Sequence, residues 1–444
     1  MRRDLLAIIL SAVLAAPALA ADNLTDKAVE LVSPVIAYRH AAARFFVDRG
    51  NKDAVPALIL AARFAGDDKE LETALETLAG DKQPDWFHWM LWQQGHPEIV
   101  PFAGFDDFES RLYRLIDDHF GLFLGPGVAH EIRLEEIAWG GVVKDGIPAL
   151  TNPKLIAPAT ASYLQPDDLV FGVSINGDAR AYPLRIMDWH EMFNDVIGGV
   201  PVSLAYCTLC GSGILFETAV AGRQKPFVFG SSGFLYRSNK LMYDTETNSL
   251  WNQFTGRPVV GVLTGSGIAL KARAVVIARW ADWLAANPAT RVLDAATGFD
   301  RDYSSGAAYG GYFGSSELMF PALVNDARLK AKDYVFALRS SGADKAWPLK
   351  RFAGGAVISD RAGILDLVLI GDEATRTVRA YRTDGRKFTK GASLDAPLSD
   401  GKPWRVTEDA LLGPAGENFP RLPGHIAYWF AWSSYFGASG EVAE

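Results

Sequence analysis

The chain repeats itself. Residues 168–185, DLVFGVSINGDARAYPLR, match residues 333–350, DYVFALRSSGADKAWPLK, at a constant offset of 165. Asp168, Phe171, Gly177, Ala181, Pro183 and Leu184 recur identically, and Tyr182/Trp347 and Arg185/Lys350 recur in kind. The same offset carries Asp195 onto Asp360, Gly198 onto Gly363, Leu204 onto Leu369 and Phe216 onto Tyr381. With gaps, LWNQFTGRPVVG resembles PWRVTEDALLG, and the Trp280/Trp283 pair resembles Trp429/Trp432. A self-match of this length predicts two copies of one unit packed as a single pseudo-symmetric body. Copy one covers 165–295, a connector 296–329, and copy two 330–444. Both copies consist of short β-branched and aromatic runs between glycine turns, with a strong hairpin signal at Ile175-Asn176-Gly177-Asp178, so the body is β-rich.

The first part of the chain belongs to another class. DAVPALILAARFAGDDKELETALETLAGD spaces its apolar residues helically in two segments split at Gly66-Asp67-Asp68. It predicts a HEAT-like helical hairpin, with Asp53 as N-cap and Pro56 in the first turn. DWFHWMLWQQGH adds a third helix, and His88 within it reads as a packing or rim histidine because no ligand-type residue stands three or four positions after it. The fold class is therefore α+β: a helical domain at 21–125, a glycine- and proline-rich lead-in at 126–164, then the repeats. Before all of this, Arg2 and Arg3, an apolar run and Ala18-Leu19-Ala20 make residues 1–20 a secretory signal peptide cleaved after Ala20. The expected location is periplasmic or secreted, with no stable membrane span after cleavage.

Two cysteines in 444 residues are too few to staple an exported fold, so burial of the 49% hydrophobic composition must hold it. A net charge of −8 with no basic run past the leader argues against nucleic acid as a partner. Phosphate-loop and dinucleotide motifs are absent, so no nucleotide cofactor is expected. Gly211-Ser212-Gly213 lacks the spacing of a serine-hydrolase elbow.

The two copies supply their own comparison: what both keep is framework, and what one keeps is a candidate site. His190 faces Gly355, Glu191 faces Ala356, Cys207 faces Asp372 and Cys210 faces Thr375. Nothing in copy two matches FLYRSNKLMYDTETNS at 234–249. Copy one thus carries the site. Its sequence predicts a helix from about Asp188 to Val196, a Gly198-Gly199 turn, a strand at Val202–Tyr206, a tight cysteine turn and a strand at Ile214–Glu217. Such a helix sets His190 with Asn194, and Glu191 with Asp195, at i,i+4 spacing.

Three chemistries remain open for Cys207 and Cys210. The pair suits a zinc or copper site with His190 as third ligand and Glu191 or Asp195 as base or further ligand, supported by Asn194, Asn239 and Asp244. It also suits a thiol–disulfide oxidoreductase, although a hairpin context differs from the helix N-terminus that lowers a thiol pKa. The third is a structural disulfide in a non-enzymatic protein whose helical domain binds a protein partner. For Asp244 a turn-opening role with Thr245 is the favoured reading.

NGDARAYPLRIMDWHEMFNDVIGGVPVSLAYCTLCGSG and FGSSGFLYRSNKLMYDTETNSLWNQFTG resemble the exported bacterial family catalogued as domain of unknown function 3179. The likeness runs from about Glu131 to the C-terminal WFAWSSYFG. It implies an exported location, the repeat and a set of recurrent positions: Trp189, His190, Glu191, Asn194, Asp195, Cys207, Cys210, Asn239 and Asp244. It implies no reaction. Thr208 stands where the family usually has proline.

Overall fold

A computed structural model of the chain describes residues 24–340, 343–437 and 440–443. The leader expected at 1–20 lies outside them. The described residues divide into two units at Gly127/Val128.

The first unit is helical. Ile36–Arg49 ends at Gly50 in the left-handed region, and Val55–Ala65 carries Pro56 in its first turn. Lys69–Ala79 is capped by Asp68, whose carboxylate accepts from the amides of Glu70 and Leu71. Trp86–Gln94 and Phe105–Arg114 follow. Asp53 is not the predicted N-cap. It lies in a single tight turn at Lys52–Ala54 opened by Asn51, and its carboxylate pairs with Arg49. His88 stays on the rim beside Asp85, 2.7 Å from its carboxylate.

The second unit is a stack of mainly antiparallel sheets with short helices, which makes the chain α+β. Strand Leu169–Ile175 turns through Asn176 and Gly177, both at positive φ, into Asp178–Pro183. This is the two-residue hairpin that Asn-Gly favours. Val276–Arg279 flanks it on one side, and Arg291–Leu293 pairs in parallel with Arg180 and Ala181 on the other. Further along, Tyr334–Ser340 and Ala343–Pro348 form a hairpin flanked by His425–Tyr428 and, in parallel at Lys345 and Ala346, by Glu441–Val442. A three-strand meander follows each hairpin: Met192–Ile197, Val200–Cys207 and Ser212–Glu217 after the first; Ala356–Ala362, Leu365–Asp372 and Thr377–Arg382 after the second.

One apolar core joins these halves: Phe171, Tyr182, Phe193 and Leu204 pack with Phe336, Trp347, Leu369 and Ile426. Backbone bonds cross the same boundary, the Tyr428 amide donating to the Cys210 carbonyl at 2.8 Å. No helix among the described residues is long and apolar enough to cross a membrane.

The predicted helix at 188–196 is two elements. The helix runs only from Leu184 to His190, Glu191 takes a left-handed φ of 55°, and Met192–Ile197 is a strand. Strand pairing with Val200–Cys207 overrides the helical spacing there. Successive residues of a strand face opposite ways, so Asn194 and Asp195 share no face with each other, and neither shares a helix face with His190 or Glu191.

Candidate functional site

Cys207 ends one strand and Ser212 opens the next, the two residues lying opposite each other in the antiparallel register. The turn between them is closed by the Cys210 amide on the Cys207 carbonyl at 3.2 Å, and by the Gly211 amide on Thr208 at 3.2 Å. Gly211 sits at a φ of 60°, and a Cβ there would stand 3.0 Å from the Tyr334 ring and 3.2 Å from the Tyr428 ring. Only glycine fits both constraints. Cys207 and Cys210 are joined as a disulfide, and both are buried.

Polar groups surround the turn. The Thr208 hydroxyl donates to Glu191 Oε1 at 2.8 Å, and Tyr309 donates to the same oxygen at 3.3 Å. Lys240 Nζ pairs with Glu191 Oε2 and donates to Ser231 Oγ at 2.9 Å. Glu191 and Lys240 are both buried, so each charge depends on the other for compensation. On the other flank, Cys210 Sγ lies 3.1 Å from Asn239 Oδ1 and 3.3 Å from the Ser238 carbonyl. From the connector, Tyr312 donates to the Leu209 carbonyl at 2.7 Å, and Lys332 lies 3.6 Å from the centre of the Tyr312 ring.

Strained backbone collects at this turn. Among the described residues, six of the non-glycine residues at positive φ are Asn or Asp, which tolerate the left-handed region; the rest are Glu191, Arg237, Ser238, Tyr309 and Arg376. Glu191 holds Thr208, Tyr309 holds Glu191, and Arg237-Ser238 is the turn that presents Ser238 to Cys210. Arg376 donates at 2.8 Å to Tyr334, whose ring covers Gly211. Such residues persist where surrounding structure over-determines them, which is typical of functional sites.

Burial raises the Asp188 carboxyl to about 7, against lowering contributions from its hydrogen bond with Tyr206 and from Arg376. Tyr206 immediately precedes Cys207. Burial likewise lowers His190.

His190 is fully buried and both ring nitrogens are engaged, Nδ1 with the Pro148 carbonyl at 2.8 Å and Nε2 with the Tyr303 hydroxyl at 2.6 Å. A carbonyl only accepts, so Nδ1 carries the proton and Nε2 accepts from Tyr303. Among the described residues no group of three or more His, Cys, Asp or Glu is placed to hold a metal ion. The expected ligand set of Cys207, Cys210 and His190 is therefore not assembled, because the helix ends at His190 and its ring is turned to Pro148 and the connector.

The remaining sequence candidates divide. Asn239 is at the sulfurs. Asp195 accepts from Arg180 at 2.7 Å and Tyr182 at 2.6 Å, just as Asp360 serves Lys345 and Trp347. That shared arrangement makes it framework. It pairs with Val202, five residues before Cys207, which is on the order of 16 Å along a strand. Asn194 stitches to the backbone of Phe229, donating to its carbonyl and accepting from its amide at 2.9 Å each. Asp244 caps its own turn through the Thr247 amide at 2.6 Å and accepts from Trp251 at 2.9 Å. Trp189 donates to the Asp302 carbonyl at 2.6 Å.

Sequence reasoning missed Lys240, Thr208, Ser238, Asp188 and the connector tyrosines. Lys240 and Ser238 had a signal, since they lie in the 234–249 segment for which the later sequence has no match. Tyr309 and Tyr312 had none, because the connector lies outside the repeat.

A family model described as protein of unknown function (DUF3179) matches residues 144–439. No curated protein and no solved structure matches the chain.

Proposed function

We propose, for a chain that belongs to the DUF3179 family, an exported thiol–disulfide protein whose working pair is Cys207 and Cys210. One observation carries this: the corresponding turn of the second half closes without sulfur. Asp372 and Thr377 pair in the same register as Cys207 and Ser212, and Asp372 Oδ1 simply accepts from the Ala374 amide at 2.7 Å. A turn that forms without a disulfide does not need one for closure, so the sulfurs are retained for chemistry. Glu191, Lys240 and Thr208 then form the polar wall beside the pair, and Asn239 and Ser238 the opposite wall.

The body around the site is read as two pseudo-symmetric copies. Its support is the matching of bounds: Leu169–Ile175 and Tyr334–Ser340, Asp178–Pro183 and Ala343–Pro348, and Val200–Cys207 and Leu365–Asp372 are each displaced by 165 residues. The helical unit is read as HEAT-like and as the surface for a protein partner, and residues 1–20 as a leader whose removal leaves Ala21 first in the periplasmic protein.

A thiol count on protein purified from the periplasm tests the function. The expected result is no reactive thiol after denaturation, two after dithiothreitol, and exchange of the reduced form with a disulfide-bonded peptide that is lost in Cys207→Ser. A pair that reduces but exchanges with no peptide reduces the disulfide to a staple. Stoichiometric zinc or copper in the reduced protein would restore the metal reading, with ligands other than His190.

A further inference from the structure

The two sulfurs stand in different company, and we propose that the difference fixes their roles: Cys207 is the sulfur that ionises and attacks, and Cys210 is the one that keeps its proton. The assignment rests on the thiol–disulfide function above.

Cys210 Sγ faces two oxygens, Asn239 Oδ1 at 3.1 Å and the Ser238 carbonyl at 3.3 Å. The amide orientation of Asn239 is fixed, because its Oδ1 also accepts the Lys240 amide at 2.9 Å. An oxygen, not an N–H, therefore meets the sulfur. The turn carrying these acceptors is pinned from outside, Arg237 donating to Glu136 Oε2 at 2.6 Å and to the Ser434 carbonyl at 3.0 Å. Two immobile acceptors welcome a thiol, which donates to them, and oppose a thiolate, which only accepts. Cys207 Sγ makes no such contact among the described residues. Both sulfurs are buried, so burial does not separate them.

In the reduced protein the Cys207 thiolate attacks a substrate disulfide. One S–S bond breaks, a mixed disulfide forms at Cys207, and the departing substrate thiolate takes a proton from solvent. Cys210 then transfers its proton to the second substrate sulfur as it attacks Cys207 Sγ. The Cys207–Cys210 bond forms, and two electrons have passed to the substrate, which leaves as two thiols.

Single variants Cys210→Ser and Cys207→Ser each hold one thiol whatever the native pair does. Thiolate absorbance at 240 nm, followed against pH, reads ionisation without needing access to the sulfur. The expected midpoint for Cys207 is lower than that for Cys210 by at least about one pH unit. Asn239→Ala placed in the Cys207→Ser protein lowers the Cys210 midpoint; Asn239→Leu, nearer in shape, is the companion where a melting curve shows the alanine variant unfolded. Equal or inverted midpoints overturn the role assignment. A native pair that reduces without exchanging overturns the function instead, and leaves the order of the midpoints unaffected.

Discussion

Ser238 occupies a φ of 61° that L residues adopt at a cost of roughly 1 kcal/mol. Its replacement by glycine is expected to raise unfolding free energy by up to about 1 kcal/mol in a urea titration, while the greater freedom of glycine in the unfolded chain trims the gain. A loss of stability would mean that the Ser238 side chain contributes more than its backbone strain removes. Glu191 and Lys240 make the opposite kind of contribution, since removal of one partner leaves a buried charge alone. Lys240→Met is expected to destabilise by about 3–5 kcal/mol, and the double variant Glu191→Leu/Lys240→Met to recover most of it, because the pair's attraction chiefly offsets its own desolvation. Additive losses in the double-mutant cycle would contradict that coupling.

At the scale of elements, the helix Gly310–Gly314 is tied to the cysteine turn through Tyr312 to Leu209, and its C-terminal end is held by Lys332 Nζ on the Ser315 carbonyl at 2.7 Å. Tyr312→Phe removes one hydrogen bond of about 1 kcal/mol, so reduction of the native pair by dithiothreitol should quicken by roughly fivefold. An unchanged rate would place the opening elsewhere. The hairpin at Asn176-Gly177 was legible in the sequence because its turn chemistry is local. The strand at Met192–Ile197 was not: MFNDVI reads equally well on a helix, and a left-handed glutamate ending the helix has no sequence signature. The sequence grouped His190 and Glu191 with the cysteines, and the structure brings Glu191 to the cysteine turn through Thr208 while His190 turns to Pro148 and Tyr303. The partners remained hidden, because Glu191 meets Lys240 across 49 residues and Tyr309 across 118.

For the molecule as a whole, two buried groups couple stability to pH in opposite senses, one of them at the boundary of the two halves. His425 lines a cleft of about 940 Å3 between them, and burial, aided by Arg339, pushes it down to about 3 from an ordinary 6.5. The unfolded chain binds a proton below pH 6.5 that the fold refuses, so this stability is complete above 6.5 and falls by about 1.4 kcal/mol per unit toward pH 3. Asp188 acts oppositely: raised to about 7 by burial, its stabilisation is complete below the ordinary 3.8 and is lost as pH rises to 7. Between 3.8 and 6.5 the two slopes oppose each other, so relative to the parent His425→Gln should gain stability toward acid and Asp188→Asn should lose it; a His425→Gln curve parallel to that of the parent would refute the first. The bond from Tyr428 to Cys210 spans 218 residues and has a consequence in time. During synthesis the cysteine turn is made long before the strand that covers it, so the sulfurs first stand open on an unfinished chain. Oxidation is easiest then, and the arrival of His425–Tyr428 seals in whatever redox state the chain has by that moment.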